Sequence, residues 1–264
     1  MIKLVCTDID GTILKHDYTF TQGVAECMKR LTEKGVKVVL ITGRMVDAAK
    51  FIADDLGLDT PVVGYQGGMV SKDGEILHEC NMPERQACEI IEWARTRGAH
   101  LNLYTDDKLY VEDDNYIVKR YAGERYTKYQ VKSFDELPKS RIHKLLAINF
   151  EDADLVTAWR DEMSAKYPEL YIVKSTPFFC EFSNKEASKY NAVRFLQKYF
   201  GVTEAETLAI GDQDNDIKLL EAAGVKVSMG NGSEGLKVIA DYITDTVEND
   251  GFVKAMDKFV FGEV

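Results

Sequence analysis

The stretch Ile2-Lys3-Leu4-Val5-Cys6-Thr7, followed by Asp8-Ile9-Asp10-Gly11-Thr12, decides how the rest of the chain is read. Ile2 to Thr7 is an apolar run of strand length, and it stops abruptly at two acids and a turn glycine. The next apolar residues, Val24, Cys27, Met28 and Leu31, fall at helical spacing, with Gly35 as a stop signal. Val36 to Ile41 is a second apolar strand, ended by Thr42-Gly43-Arg44. Met45, Ala48, Ala49, Ile52 and Leu56 then mark a helix, and Pro61-Val62-Val63 a third strand. Strand and helix in strict alternation predict a parallel sheet covered on both faces. The same grammar returns after residue 184. Ala192, Phe195, Leu196 and Tyr199 form one stripe, and Leu208-Ala209-Ile210 is a strand ending in Gly211-Asp212. Ile217, Leu220 and Ala223 suit a helix, Val225 to Ser228 a strand, and Phe252, Met256 and Phe259 a last helix.

The segment 82–183 reads differently. A helix through Ala87, Ile90, Ile91 and Ala94 leads into hairpin-like pieces around Asp106-Asp107. A strand from His143 to Phe150, a helix through Trp159 and strands near Tyr171 and Phe179–Phe182 follow. This is α+β, and it holds 15 of the 27 aromatic residues, enough for a small core of its own. The expected architecture is therefore α/β: a Rossmann-like parallel-sheet core made of residues 1–81 and 184–264, with an α+β domain, 82–183, inserted into it.

Composition narrows the function. The 264 residues carry 33 basic and 44 acidic side chains, a formal charge of −11, which disfavours binding a phosphate backbone, so no nucleic-acid partner is expected. No apolar stretch reaches the roughly 18 residues of a membrane span, and the first acid comes too early for a secretory signal. Five scattered cysteines form no C-x-x-C pair, so neither a zinc site nor a disulfide framework is indicated, and the expected compartment is a reducing cytoplasm. The oligomeric state is not readable.

Chemistry concentrates just past the strand ends, where open α/β sheets bind ligands. Asp8 and Asp10, alternate residues on an extended chain, share a face. Two close carboxylates repel unless a proton or cation relieves them, and a hard divalent ion such as Mg²⁺ suits oxygen donors. Taken alone, two solvated acids in a turn explain the string equally well. Asp212, Asp214, Asn215 and Asp216 form a second acidic group; an acidic helix N-terminus is the plainer reading of it, and the spacing fails as an EF-hand. Thr42, Gly43 and Arg44 offer a hydroxyl, an open backbone N–H and a guanidinium, suited to phosphate oxygens, although a helix start with an exposed arginine looks the same. Lys189, read by itself, is one of many lysines. Gly230-Asn231-Gly232-Ser233-Glu234-Gly235 matches G-x-G-x-x-G, but too little chain follows for a dinucleotide-binding unit.

In combination these features resemble the haloacid dehalogenase superfamily of phosphohydrolases, in particular its Cof-type subfamily with the type IIB cap. The resemblance spans nearly the whole chain. It is carried by Asp8-Ile9-Asp10-Gly11-Thr12, Leu40-Ile41-Thr42-Gly43-Arg44, Lys189, Ala209 to Asp216, and the string Ser228-Met229-Gly230-Asn231-Gly232 with Lys237, Ala240-Asp241 and Asp250-Gly251. It implies that Asp8 is the nucleophile, forming an aspartyl-phosphate, and that Asp10 is the general acid and then base. Thr42 and the Gly43 amide would hold phosphate oxygens, with Arg44 a phosphate or substrate contact. Lys189 would anchor the phosphate and the nucleophile. Asp8, the Asp10 carbonyl and Asp212 would ligate Mg²⁺, supported by Asp216 and Asn215. Three positions depart from the usual pattern: Tyr190 where a small residue is common, Gly232 where alanine is common, and Tyr65-Gln66-Gly67 where Asn-Gly is frequent. They touch loop shape and substrate contacts and leave the charged set whole.

The expected activity is a Mg²⁺-dependent phosphatase on small phosphorylated metabolites, sugar phosphates among them. A phosphomutase of the related Asp-x-Asp type would return phosphate to its substrate. A non-catalytic phosphosugar sensor would need no acid–base pair, and a phosphoacceptor signalling domain would have no use for the inserted domain.

Overall fold

The computed structural model describes residues 1–263 except Tyr126. Two compact units divide it, Met1–Glu79 with Ser188–Val264, and Cys80–Ala187.

The first unit begins with β1 (Leu4–Thr7), α1 (Gln22–Glu33), β2 (Lys37–Leu40), α2 (Val46–Asp55) and β3 (Val62–Gly64). Two further strands, β4 (Met69–Lys72) and β5 (Glu75–Glu79), end this half. The second unit contributes α3 (Glu84–Arg97), β6 (His100–Thr105), β7 (Lys108–Val111), α4 (Tyr116–Arg125) and β8 (Tyr129–Val131). It continues with β9 (Ile142–Ile148), α5 (Ala153–Lys166), β10 (Leu170–Thr176) and β11 (Phe179–Asn184). The chain then returns to the first unit through α6 (Lys189–Phe200), β12 (Thr207–Gly211), α7 (Ile217–Glu221), β13 (Val225–Ser228), α8 (Glu234–Ile239), β14 (Tyr242–Ile243) and α9 (Gly251–Met256).

The fold is α/β. Five strands pair in the order β14-β13-β12-β1-β2, every ladder parallel. Strands buried on both faces must be apolar throughout, and β1 is fully buried along its length. Leu4, Cys6, Val39, Ile41 and Ala209 pack with Ala192, Val193 and Leu196 of α6 into one cluster. β1 lies between β12 and β2, so its neighbours are reached by connections in opposite directions along the chain. That is the topological switch point at which α/β sheets place their ligands.

Pro61-Val62-Val63 was expected in the parallel sheet. Instead β3 pairs antiparallel with β4, and β4 with β5, with only an isolated parallel bridge from Ile41 to Val63. The reason is local: Tyr65, Gln66 and Gly67 turn the chain back after β3, and Asp73 and Gly74 turn it again between β4 and β5, all five at positive φ. The stripes also shift. Val46 is buried while Ala48 is exposed, Tyr199 is exposed on α6, and Ala223 lies beyond the end of α7.

The second unit is α+β. Its six-stranded sheet runs β10-β11-β9-β6-β7-β8 and is antiparallel except for the β7–β8 pair. One face packs α3 and α5 in an aromatic core, where Trp93 meets Trp159 edge-on at 5.6 Å and Phe182 at 6.1 Å. No helix among the described residues is long and apolar enough to cross a membrane.

Candidate active site

The parallel ladders bring the carboxyl ends of β1, β2 and β12 side by side, pairing Thr7 with Leu40 on one side and with Ile210 on the other. Asp8 follows β1 directly, its backbone N–H donating to the Ile210 carbonyl at 3.0 Å. Asp212 follows β12 in the same way. Asp216 stands four residues further on, and its Oδ2 accepts from the backbone N–H groups of Asp212 (3.0 Å) and Gln213 (3.2 Å). Gly211 permits this turn, because a Cβ there would stand 2.5 Å from the Asp216 carboxylate carbon.

Lys189 opens α6, capped by Ser188, whose hydroxyl accepts from the Asn191 N–H. Its side chain is almost fully buried, and its ammonium donates to Asp8 Oδ1 at 2.6 Å and to Asp216 Oδ1 at 2.5 Å. Residues 181 and 27 positions apart in sequence thus meet around one cation. Asp8, Asp212 and Asp216 each present a carboxylate oxygen within 4.8 Å of the others, all three buried.

This gathering is electrostatically unfinished. Three buried carboxylates face one ammonium. Burial first, then the nearby Asp216 charge, pushes the Asp8 carboxyl up to about 8, although Lys189 opposes the shift. Burial likewise raises Asp212 to about 6, against a hydrogen bond from Gln213. On Lys189 burial acts to lower the pKa, but Asp216 and Asp8 together outweigh it and hold the ammonium charged. Both Asp216 oxygens accept hydrogen bonds, whereas among the described residues Asp8 Oδ2 and Asp212 Oδ1 accept none. A hard divalent cation fits this donor set, through Asp8 and Asp212.

Gly11 allows Asp212 its place: at φ 78°, with its Cα against the carboxylate, any Cβ would overlap the Asp212 side chain. Asn231 ties the same corner together, donating to the Gly11 carbonyl at 2.9 Å and accepting from the Val247 N–H at 2.9 Å. Sequence reasoning assigned Asn231 no role. Its signal was the Ser228-Met229-Gly230-Asn231-Gly232 string, which carries part of the family resemblance and whose glycine spacing also matches an unrelated motif. Gly11→Ala should lower stability by about 1–3 kcal/mol, from the left-handed backbone and the displaced carboxylate together. Displacing the Asp212 carboxylate should also weaken any divalent-cation binding there, read by calorimetry; unchanged affinity would show that the ion does not depend on the position of Asp212.

On the β2 side, Thr42 is buried, and its hydroxyl accepts from the Arg44 N–H at 3.2 Å. Among the described residues, the Gly43 N–H has no protein acceptor. Arg44 turns to Asp10: Nε donates to Asp10 Oδ2 at 2.8 Å, Nη2 bonds the other carboxylate oxygen, and the Tyr18 ring lies 5.4 Å from the guanidinium carbon. Arg44 was expected to meet phosphate or substrate; here it grips the Asp10 carboxylate. Asn215 is exposed and reaches Gln66, with 3.4 Å between its amide nitrogen and Gln66 Oε1.

Known proteins of similar sequence and structure place the chain in a family. The family model described as haloacid dehalogenase-like hydrolase matches residues 5–256. A candidate phosphatase of Streptococcus pyogenes serotype M6 is 33% identical, the match covering 98% of each chain. A 5-amino-6-(5-phospho-D-ribitylamino)uracil phosphatase of Bacillus subtilis is 25% identical over 97% of each. Among solved structures, a haloacid dehalogenase-like hydrolase of Bacteroides thetaiotaomicron superposes with a TM-score of 0.89 at 26% identity, covering 98% of this chain and 99% of its own. An aspartate pair after the first strand, a buried lysine between two acids and a match over nearly the whole length converge: the chain belongs to the haloacid dehalogenase-like hydrolases, in their Cof-type branch.

Proposed function

We propose that this phosphatase of the haloacid dehalogenase family is a Mg²⁺-dependent hydrolase of small phosphomonoesters, sugar phosphates among them, working through an aspartyl-phosphate on Asp8. The observation that carries the reading is the buried Lys189 bridging Asp8 and Asp216 beside Asp212. An anionic nucleophile must approach an anionic phosphate, so positioning and charge neutralisation supply most of the rate. Asp8 and Asp212 would hold the ion, with the Asp10 carbonyl as a further oxygen donor and Asp216 acting from behind through Lys189 and the Asp212 loop. When bound, the ion neutralises charge on the phosphoryl group and keeps Asp8 ionised below its raised pKa.

An Asp8 oxygen attacks phosphorus, and the bond to the leaving alcohol breaks as Asp10 gives that oxygen a proton. Asp10 then takes a proton from water, the water oxygen attacks phosphorus, and the bond to Asp8 breaks, releasing inorganic phosphate and restoring the carboxylate. Thr42 and the Gly43 N–H hold phosphoryl oxygens, and Asn215 supports the site. Arg44 must loosen its hold on Asp10 for the proton to transfer. The unit Cys80–Ala187 we assign as the cap that reads the leaving group. All five cysteines are free thiols, which suits a reducing cytoplasm.

The test is turnover of aryl and sugar phosphates with Mg²⁺ and with excess chelator. Inorganic phosphate should appear only with the metal. Isomerised sugar phosphate without phosphate release would point to a mutase instead, and ligand binding without turnover to a sensor. Proton competition gives a second check. Asp8 and Asp212 carry folded-state pKa values raised to about 8 and about 6, above their unfolded values, so the metal-free protein loses stability as pH rises through that window. Mg²⁺ displaces those protons, so its effect on the unfolding temperature should grow from about pH 6 to about pH 8. At roughly 100 times Kd the stabilisation is about 2.7 kcal/mol, a shift of several degrees. A shift that shrinks with rising pH would contradict binding at these carboxylates.

A further inference from the structure

The turn that joins β3 to β4 lies beside the site and holds successive residues in the left-handed region. Tyr65, Gln66 and Gly67 have φ of 53°, 59° and 105° in succession. Two consecutive non-glycine residues in the left-handed region are uncommon outside tight hairpins, such as the one that Asp106 and Asp107 form between β6 and β7. Short bonds clamp this turn onto the Thr42–Arg44 loop: Gln66 N–H donates to the Thr42 carbonyl at 2.9 Å, and Tyr65 N–H to the Arg44 carbonyl at 2.9 Å. Gly67 packs against the Ser188 carbonyl, immediately before Lys189, closely enough to exclude a Cβ. The conformation thus sets the Gln66 amide across the face of Gly43. Its Nε2 would stand 2.7 Å from a Gly43 Cβ, and its Oε1 receives the Asn215 amide at 3.4 Å. With Oε1 engaged by Asn215, Gln66 Nε2 lies over Gly43 and has no protein acceptor among the described residues.

We propose that Gln66 donates a hydrogen bond through Nε2 to the transferring phosphoryl group, closing the phosphate cradle between the Gly43 N–H and Asn215. The proposal rests on the hydrolytic reading above for the identity of the ligand, a phosphate monoester or its product. A neutral donor suits the position: it adds no charge that would hold the product, and it sits beside a backbone N–H that is itself without a protein acceptor. Gln66 is half-buried, so its amide can reach a ligand without first being dug out of the core. Because it would touch the part common to every substrate, it acts as a general phosphate contact and leaves discrimination among alcohols to other residues.

Two variants separate this role from a structural one. Gln66→Gly removes the amide and also relieves the left-handed backbone, so its unfolding temperature should equal or exceed that of the wild type. Gln66→Glu keeps size and shape but sets a carboxylate against the phosphate. Each is measured two ways: by the rise in unfolding temperature that inorganic phosphate gives in the presence of Mg²⁺, and by kcat/KM on one aryl and one sugar phosphate. Stabilisation by phosphate should weaken in both variants. The rate should fall by about ten- to a hundredfold in Gln66→Gly and further in Gln66→Glu, by the same factor on both esters, as expected for a hydrogen bond to a charged group. Phosphate stabilisation like the wild type's in both variants, or a loss confined to one ester, would overturn the proposal. The phosphate readout does not need turnover. A wild type that hydrolyses nothing while Gln66→Glu still loses phosphate binding sinks the hydrolytic reading and keeps the contact. Normal wild-type turnover with indifferent Gln66 variants sinks the contact alone.

Discussion

Asp8→Asn should abolish turnover, with a loss on the order of 10⁴-fold or more, while the protein stays folded. An amide in place of the attacking oxygen cannot form the phosphoryl-enzyme, and the other carboxylates of the site have other tasks, Asp212 being the one proposed to hold the ion. Asp216 has both oxygens committed, to Lys189 and to the backbone N–H groups of Asp212 and Gln213, and Asp10 is held by Arg44. Stability should move little, and upward if at all. The variant removes a carboxyl whose burial already raises its pKa to about 8, and it keeps a hydrogen-bonding oxygen for Lys189. The measurement is single-turnover release of the leaving alcohol together with acid-stable phosphoprotein on the wild type. Residual activity within tenfold of the wild type would mean that another group attacks phosphorus. Asp10→Asn belongs in the same series and should lose a smaller factor, roughly 10²–10⁴, greatest for esters with poor leaving groups. Equal losses on aryl and alkyl esters would deny Asp10 the role of acid.

The residues that can be read from sequence are those tied to strand ends. In β1, β2 and β12 the apolar run and its polar terminus are contiguous, so Asp8, Thr42 and Asp212 announce both the strand and the place where ligands bind. Lys189 carries no such mark. As a lone residue it looks like any surface lysine, and only the family resemblance singles it out; its burial is a product of three distant segments meeting. The same limit applies to Asn231 and Gln66: both stand in strings that the resemblance marks, but what they do depends on Gly11 and Gly43, which belong to other strand ends. Within the second unit the three strongest segments, α3, β9 and α5, were legible from their apolar spacing, while α4 was not. Its buried residues Val118, Tyr121 and Ala122 do fall at helical spacing, but basic side chains interleave them and the stripe is short. β4 and β5 escaped notice because short, half-exposed antiparallel strands lack an apolar run, although Asp73-Gly74 was an available turn signal.

Lys189→Met tests the charge balance on which the site depends. Methionine preserves much of the volume and removes the ammonium, so Asp8 and Asp216 would face each other, buried and without their shared cation. Breaking a buried ion pair from one side costs about 3–5 kcal/mol, because the remaining charge keeps its desolvation penalty without its partner. Protonation relieves that penalty, which fixes the sign of the pH dependence. Lys189 is the group holding Asp8 down, against burial and Asp216, so its removal moves the Asp8 pKa further up. A folded-state pKa raised above the unfolded value gives stability that is complete in acid and is lost as pH climbs. The deficit of Lys189→Met relative to wild type should therefore be small near about pH 4 and widen towards about pH 8, read as unfolding temperature across that range. Mg²⁺ should recover part of the deficit by supplying positive charge at the same carboxylates. It should not recover turnover if, as proposed, the ammonium also neutralises the phosphoryl group as bonds change, since losing one such donor costs at least roughly 10²–10³-fold. A deficit that is flat with pH would mean that Lys189 contributes packing alone. Rescue of turnover by Mg²⁺ would mean that the ion by itself supplies the charge the reaction needs, and that the lysine serves the fold.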